Sequence, residues 1–413
     1  MRRTAVAVGT LVMLLALAGA PAGADSWSFE TLDGDGGANG RTANSVGMHN
    51  TTLLYEGVPH VWYRNVTGGD LRHAWWNAAA GAWAFETLDG NGGANGRTAN
   101  NVGYWATSTL YQGAPHLWYY DAIGGDLRHA WWNAAVGQWG FETLDGNGGA
   151  DGRTSSAVGP YGAAAVYQDV PHVWYQNATD GDLRHAWWNA AVDQWGFETL
   201  DGNGGANGRT ANTVGLDPSA ALYDGVPHVW YRDETGNDLR HAWWNGAARA
   251  WGFETLDGNG GANGRTVNSV GTYTAATLYQ GVPHVWYGDN TGGDLRHAWW
   301  NAAAGAWGFE TLDGNGGANG RTANTVRDFS AAALYQGVPH VWYNDDTGDD
   351  LRHAWWNAAA GAWGFETLDG NGGANGRTAD MVGYYNAVTL YQGEPHVFYL
   401  DATGDDLRHA RYG

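Results

Sequence analysis

The chain has 413 residues, a formal net charge of −21 and no cysteine. Without cysteine there is no disulfide and no thiolate ligand for a metal. Only 21 basic residues stand against 42 acidic ones, so the clustered positive charge that nucleic acid or an anionic membrane surface requires is not available. We therefore expect no nucleic-acid partner and no membrane insertion, while carbohydrate, which is largely neutral, stays open as a partner class.

Residues 1–24 have the pattern of a secretory signal peptide. Arg2 and Arg3 form a basic start, residues 5–18 are apolar, and Ala22-Gly23-Ala24 is a small-residue cleavage site. The apolar stretch is too short for a transmembrane helix. We expect a secreted, extracellular protein whose mature part is residues 25–413.

The mature sequence is one 56-residue unit written seven times without insertion or deletion. The phrase F-E-T-L-D-G marks each copy and begins at Phe29, Phe85, Phe141, Phe197, Phe253, Phe309 and Phe365. Such a repeat buries its apolar face against copies of itself. A function built into the unit is therefore presented about seven times, which favours a multivalent binder over an enzyme with one active site.

Within one repeat, four short segments rich in β-forming residues alternate with turn signals. In the first copy they cover residues 51–55, 60–64, 70–77 and 83–88, and a polar linker of about 14 residues follows. No segment has the 3.6-residue apolar period of a helix. The pattern predicts an all-β fold, a seven-bladed β-propeller with four antiparallel strands per blade. A β-solenoid is the alternative.

The phase of the repeat predicts how the ring closes. The mature chain begins with a lone fourth-type strand at residues 27–32 and ends after a third-type strand at residues 406–412. We expect the first strand to complete the last blade, so that no sheet edge is left open.

Fourteen of the 15 histidines occupy two fixed places in the repeat. The first place holds His60, His116, His172, His228, His284, His340 and His396. The second place holds His73, His129, His185, His241, His297, His353 and His409. With a four-residue turn between their strands, we expect His60 and His73 to lie directly cross-strand, with Trp62, Leu71 and Trp75 on the same face.

A polar pair beside an indole suits sugar recognition, because a sugar ring rests on the aromatic plane while its hydroxyl groups find fixed donors and acceptors. The tryptophans expected to take part are Trp75, Trp131, Trp187, Trp243, Trp299 and Trp355. Two other interpretations stay open. The histidines can satisfy polar groups within the core, or a pair can share a zinc ion, although no acidic residue recurs at strand spacing beside them. We expect no metal and no cofactor.

The linker D-G-N-G-G-A-N-G-R-T resembles the start of a calcium loop, with oxygens available on Asp33, Asp35 and Asn39. It lacks the closing glutamate of such a loop, and turn chemistry explains its Gly, Asn and Asp residues. Arg41 is expected to pair with Asp33 and brace the linker.

Four residues before each inner strand vary while their surroundings are nearly fixed. They read M-H-N-T, Y-W-A-T, P-Y-G-A, L-D-P-S, T-Y-T-A, D-F-S-A and Y-Y-N-A. We expect them at one mouth of the central channel, where they either drift or tune ligand contacts. Glu86 and its equivalents recur sevenfold, and no unique carboxylate pair or nucleophile stands out. We therefore expect no enzymatic activity.

The run P-H-V-W-Y-R-N-V-T-G-G-D-L-R-H-A-W-W resembles the repeat of the fucose-binding β-propeller lectins, fungal six-bladed and bacterial seven-bladed. In that family a strand of type R-V-Y-Y leads through a glycine turn to I-R-E and a tryptophan. The resemblance covers about half of each unit and implies sugar sites in the clefts between blades. Where the family has its sugar-binding arginine and its glutamate, this chain has His60 and His73. The family's tryptophan corresponds to a position near Trp75 or Trp76.

The last copy carries Arg411 and Tyr412 in place of the two tryptophans, so its site is expected to be weak. The sequence as a whole predicts a multivalent, lectin-like protein that binds glycans or glycoconjugates. A protein-interaction scaffold and a glycoside-active enzyme are the alternatives.

Overall fold

The computed structural model describes residues 26–149 and 152–413, and the predicted signal peptide lies outside them. Across these two ranges the secondary structure consists of 28 β-strands joined by turns. The strands form seven four-stranded sheets, which confirms the predicted seven-bladed β-propeller. Neither range contains a helix long and apolar enough to cross a membrane.

Each blade is an antiparallel meander whose first strand lies nearest the axis. Blade 1 contains β2 (Val46–Tyr55), β3 (Val58–Asn65), β4 (Asp70–Asn77) and β5 (Ala82–Asp89). Blade 2 contains β6 (Val102–Tyr111), β7 (Ala114–Asp121), β8 (Asp126–Asn133) and β9 (Gln138–Asp145). Blade 3 contains β10 (Ala163–Tyr167), β11 (Val170–Asn177), β12 (Asp182–Asn189) and β13 (Gln194–Asp201). Blade 4 contains β14 (Val214–Tyr223), β15 (Val226–Asp233), β16 (Asp238–Asn245) and β17 (Ala250–Asp257).

The remaining three blades repeat this order. Blade 5 contains β18 (Val270–Tyr279), β19 (Val282–Asp289), β20 (Asp294–Asn301) and β21 (Ala306–Asp313). Blade 6 contains β22 (Asp328–Tyr335), β23 (Val338–Asp345), β24 (Asp350–Asn357) and β25 (Ala362–Asp369). Blade 7 contains β26 (Val382–Tyr391), β27 (Glu394–Asp401), β28 (Asp406–Tyr412) and β1 (Trp27–Asp33).

The ring closes as the sequence predicts. β1 pairs antiparallel with β28, with Trp27 opposite Tyr412 and Phe29 opposite Ala410. The first strand of the chain is therefore the outer strand of the last blade, where it covers the edge that the C-terminal strand β28 would otherwise leave open.

Apolar side chains from neighbouring blades form the core between them. Trp62 and Leu71 of blade 1 pack with Tyr119 and Phe141 of blade 2. Trp62 is 0% exposed, and burial of an indole removes ~150–250 Å² from water, about 4–6 kcal/mol of transfer free energy. The same kind of cluster recurs around the ring, so each blade buries its apolar faces against its two neighbours.

A buried carboxylate also joins each blade to the next. Asp33 accepts hydrogen bonds from Tyr63 Oη at 2.6 Å and from Arg72 Nε at 2.9 Å, while its other oxygen accepts from the Thr42 backbone at 2.7 Å. The arginine of this contact is therefore Arg72. The expected partner, Arg41, instead pairs with Asp35 at 3.3 Å, because Arg72 already fills the buried side of Asp33. Both oxygens of Asp33 are taken by protein donors, which supports the turn interpretation of the linker over the calcium interpretation.

Candidate functional site

The structure brings the two histidine positions together in every blade. Asn65 pairs with Asp70 across the four-residue turn, so His60 lies opposite Trp75 and His73 lies opposite Trp62. The expectation that the two histidines face each other directly is wrong, because this register sets them on a diagonal. They do share one face, and His60 Nδ1 lies 2.9 Å from His73 Nε2.

A glutamate of the outer strand extends this pair into a chain of three groups. His73 Nδ1 lies 2.9 Å from Glu86 Oε1. A carboxylate can only accept, so Nδ1 of His73 carries the hydrogen, Nε2 of His73 accepts from His60 Nδ1, and His60 Nε2 is left as an acceptor. The glutamates in this position are Glu86, Glu142, Glu198, Glu254, Glu310, Glu366 and, in blade 7, Glu30.

Burial keeps the histidine chain neutral. Desolvation, followed by the charge of His73, lowers the pKa of His60 to about 3. Desolvation also lowers the pKa of His73, against the opposing effect of Glu86. Burial alone would raise the pKa of Glu86, but the hydrogen bond and charge of His73 outweigh it and the pKa lies below its ordinary value. At neutral pH this group of three side chains in blade 1 therefore contains one carboxylate and two uncharged imidazoles.

Indole rings stack on both sides of the second histidine. The His73 ring lies 4.7 Å from Trp62 and 4.9 Å from Trp75, nearly parallel to both. Trp62 is fully buried and belongs to the core, whereas Trp75 is partly exposed.

The predicted residues line clefts between adjacent blades. The cleft between blades 3 and 4 has a volume of about 540 Å³ and is lined by His172, His185 and Trp187 of blade 3 and by Trp244 and Trp251 of blade 4. The clefts after blades 2 and 6 have the same construction. The cleft after blade 7 has the two histidines, but Arg411 takes the place of the tryptophan. Within residues 26–149 and 152–413, no group of three or more His, Cys, Asp or Glu side chains could hold a metal ion. The clefts thus offer aromatic faces, hydrogen-bond acceptors and an ionised glutamate.

A second candidate site lies on the axis, where the seven blades differ. In blade 1 the pairing of β2 with β3 is interrupted between Met48 and Thr51, and this bulge turns His49 out of the ladder. The equivalent residue of each blade has a positive φ of 47° to 55°. We call these seven residues the axial ring: His49, Trp105, Tyr161, Asp217, Tyr273, Phe329 and Tyr385.

Left-handed backbone is unusual for bulky residues and costs about 1 kcal/mol or more at each. The side chains at these positions line one cavity of about 370 Å³ to which every blade contributes. The rings follow one another in contact, for example Trp105 with Tyr161 at 4.8 Å and Phe329 with Tyr385 at 4.4 Å. Asn50 fixes the backbone by donating to the Tyr385 carbonyl at 2.9 Å. The four variable residues before each inner strand therefore lie at one mouth of the central channel, as predicted.

Asp217 is the one carboxyl group of the axial ring. Burial raises its pKa to about 7, and the charges of Asp328 and Glu234 add to this, while a backbone hydrogen bond from Tyr273 and the charge of Arg232 oppose it. Near neutral pH a large fraction of Asp217 is thus protonated and can donate a proton. The repeat pattern does not single out this residue, because an aspartate stands at this position in one copy of seven. Its signal was the contrast between the variable tip and its fixed surroundings.

No protein-family model matches the chain, and no curated protein sequence matches it. Solved structures do resemble it. An alpha-L-arabinofuranosidase from Clostridium thermocellum is 12% identical, with a TM-score of 0.38, over 64% of this chain and 92% of that one. A GH43_1 enzyme from Xanthomonas citri is 12% identical, with a TM-score of 0.35, over 61% of this chain and 86% of that one. Trypanosoma rangeli sialidase is 11% identical, with a TM-score of 0.45, over 89% of this chain and 55% of that one.

These similar structures are enzymes by name, and they correct two expectations from the sequence. The chain was expected to be a non-catalytic, lectin-like protein, and it was expected not to be an enzyme. Both expectations are wrong by this comparison and are not carried further. Because the identities are near 12%, the likeness itself is one of fold, and the chemistry has to be argued from the residues of this chain.

Proposed function

We propose that the protein is a carbohydrate-active enzyme that cleaves a glycosidic bond at the axial ring and holds glycan in the clefts between its blades. The observation that carries this proposal is the position of Asp217, the one carboxyl group that lines the axial cavity within the described residues, among aromatic rings and small polar side chains. Burial there raises its pKa to about 7. A general acid works best when its pKa lies near the working pH.

The shape of the axial cavity suits a sugar. Its volume of about 370 Å³ lies within the range of ~300–1,000 Å³ typical of small-molecule sites. Sugar rings have apolar faces that pack against aromatic rings, and the phenol groups of Tyr161, Tyr273 and Tyr385 offer hydrogen bonds to hydroxyl groups. Burial raises the pKa of Tyr161 to about 12, so this phenol stays a neutral donor.

The chemistry follows from this arrangement. Protonated Asp217 gives its proton to the glycosidic oxygen as the bond to the anomeric carbon breaks, and water adds to that carbon. The proton lost by the water returns to the Asp217 carboxylate, so the acid is regenerated. Positive charge that develops on the sugar ring in the transition state is stabilised by the surrounding aromatic faces.

The interblade clefts are not suited to this step. Glu86 and the other glutamates of this position whose pKa is lowered are ionised at neutral pH, and the histidines of the His60 type are uncharged. Each cleft therefore provides acceptors and aromatic faces but no acid. We propose that His60, His73, Trp75 and their equivalents hold sugar units there, and that the leader predicted at residues 1–24 directs this enzyme out of the cell.

The proposal is tested by turnover. Wild-type protein is assayed on a panel of chromogenic glycosides, and the substrate with the highest rate is then used with Asp217→Asn and with Asp169→Asn, the same change at an exposed turn of blade 3. Loss of one general acid should lower turnover by about 10²–10⁴-fold in the first variant only. No hydrolysis of any glycoside by the wild type, or equal rates in the two variants, would refute the proposal.

A further inference from the structure

One cleft differs from the others at a pair of residues that face each other across two strands. In blades 2 to 6 this pair is a tryptophan and a glycine, as in Trp131 opposite Gly140. In blade 7 it is Arg411 opposite Ser28. This cleft lies between blade 7 and blade 1, and its volume is about 570 Å³.

In blades 1 to 6 the residue opposite the tryptophan is small: it is Ala84 in blade 1 and a glycine in blades 2 to 6. A Cβ atom placed on Gly140 would lie 2.5 Å from the indole of Trp131, so the indole lies flat against the strand because the glycine has no side chain. In blade 7 the indole is replaced and a serine takes the glycine position. Ser28 Oγ accepts a hydrogen bond from Arg411 Nε at 3.2 Å. The two substitutions fit each other, and the serine fixes the base of the guanidinium group.

The outer end of Arg411 stays available. The side chain is exposed, and its two Nη atoms contact no protein acceptor among residues 26–149 and 152–413. The other guanidinium group of this cleft, that of Arg41, bonds to the Leu32 carbonyl at 2.7 Å and pairs with Asp35 at 3.3 Å. The Glu30 carboxylate is held by His409 Nδ1 at 2.9 Å, and the charge of Arg411 helps to lower its pKa. Among the described residues Arg411 forms no direct ion pair, so the outer face of its guanidinium group is open to a ligand.

We infer that the cleft between blade 7 and blade 1 binds a negatively charged sugar unit. The two Nη atoms of Arg411 donate hydrogen bonds to its carboxylate or sulfate group. A planar guanidinium fork matches such an anion with two parallel hydrogen bonds. The other clefts present an indole at this position and take neutral sugar faces. This inference rests on the proposed function only in taking the ligand to be a sugar.

The test is calorimetric titration of the full chain carrying Asp217→Asn, so that the probe is not cleaved. The probes are a hexuronic acid oligosaccharide, its neutral methyl ester and a sulfated neutral oligosaccharide. We expect one of the two anionic probes to bind at least about tenfold more tightly than the ester, since a charge-assisted hydrogen bond is about twice as strong as a neutral one. The tighter of the two identifies the anion.

Two variants serve as controls. Arg411→Gln should remove the preference for the anion, and the double variant Arg411→Trp/Ser28→Gly, which restores the pair found in blades 2 to 6, should remove it without lowering the melting temperature. Equal binding of charged and neutral probes by the parent, or a preference that survives Arg411→Gln, would overturn the inference. Because every titration is done without Asp217, a failure of glycoside turnover does not affect this result.

Discussion

Trp251 Nε1 of blade 4 donates a hydrogen bond of 3.2 Å to Glu198 Oε1 of blade 3. The same oxygen lies 2.9 Å from His185 Nδ1, so one carboxylate orients the histidine chain of its own blade and binds the indole of the next. The lining of a cleft and the contact between two blades therefore share a residue. A change at this carboxylate affects both the site and the stability of the ring.

Acid should unfold the protein through its buried histidines. The seven histidines of the first position have a folded pKa of about 3, against about 6.5 in an unfolded chain. The unfolded state binds more protons between these values, so the stabilisation is complete above about pH 6.5 and is lost as the pH falls, by up to about 1.4 kcal/mol per pH unit for each histidine.

Thermal unfolding followed by calorimetry between pH 7.5 and pH 4.5 measures this effect. The melting temperature should fall steadily below pH 6.5, and His172→Asn should have a shallower slope because one proton fewer is taken up. Asp217 acts in the opposite sense, because its raised pKa gives a contribution that is lost as the pH rises towards 7. Asp238, Asp328, Asp350 and Asp406, whose pKa is raised to about 6, act in the same way. These groups should reduce the slope without reversing it, because the seven histidines are more numerous and most of these aspartates are shifted less. A melting temperature that stays constant from pH 6.5 to pH 5 would contradict the neutral histidine chain.

The buried tryptophans of the second strand should tolerate phenylalanine. Trp174 is 0% exposed, and its Nε1 is buried without a hydrogen-bond partner within the described residues. Blade 7 has Phe398 in this position. Trp174→Phe should therefore cost less than about 1.5 kcal/mol of the free energy of unfolding, and Trp174→Ala about 3–5 kcal/mol. Denaturant titrations measure the free energy of unfolding of both variants. If both lose the same amount, the indole nitrogen contributes to stability and the prediction is wrong.

The buried ion pairs between blades should be sensitive to removal of one partner. Arg184 Nε donates to Asp145 Oδ2 at 2.9 Å, and the carboxylate is fully buried. Arg184→Met leaves that charge unpaired and should cost about 3–5 kcal/mol. The exposed Arg249 provides the control, because Arg249→Met should change stability by less than about 0.5 kcal/mol. A double variant Arg184→Met/Asp145→Asn should recover part of the loss, and a full loss in the double variant would argue against an unpaired charge as its cause.

Some features of the fold and of the candidate sites could be predicted from the sequence, and others could not. The repeat period and the lone first strand predict the blades and their closure, because only local patterns and chain order are needed. The fixed histidines predict the cleft. The pairing of His60 with Trp75, and the partnership of Asp33 with Arg72, depend on strand register and on contacts across blades, which no local pattern reveals. Asp217 was overlooked because it occurs once among seven different side chains, and its raised pKa arises from burial on the axis.

Because the backbone of the axial ring is strained, a glycine substitution there should lower activity strongly and stability only moderately. Phe329 has a φ of 55°, which glycine adopts freely. Phe329→Gly loses aromatic contacts but relieves this strain, so its cost in stability should lie below the ~3–5 kcal/mol usual for loss of a buried phenylalanine. Glycoside turnover should fall at least about tenfold, because one wall of the cavity is removed. Full activity in a stable Phe329→Gly protein would show that the aromatic wall has no part in the reaction.

The pH dependence of kcat/KM for glycoside hydrolysis, compared between the wild type and Asp217→Asn, tests the axial site most directly. With Asp217 as the proton donor and a pKa of about 7, the wild-type rate should be constant on the acid side and fall about tenfold per pH unit above pH 7. The residual rate of Asp217→Asn should lack this step. A wild-type rate that does not fall above pH 7, or the same profile in both proteins, would contradict catalysis by Asp217.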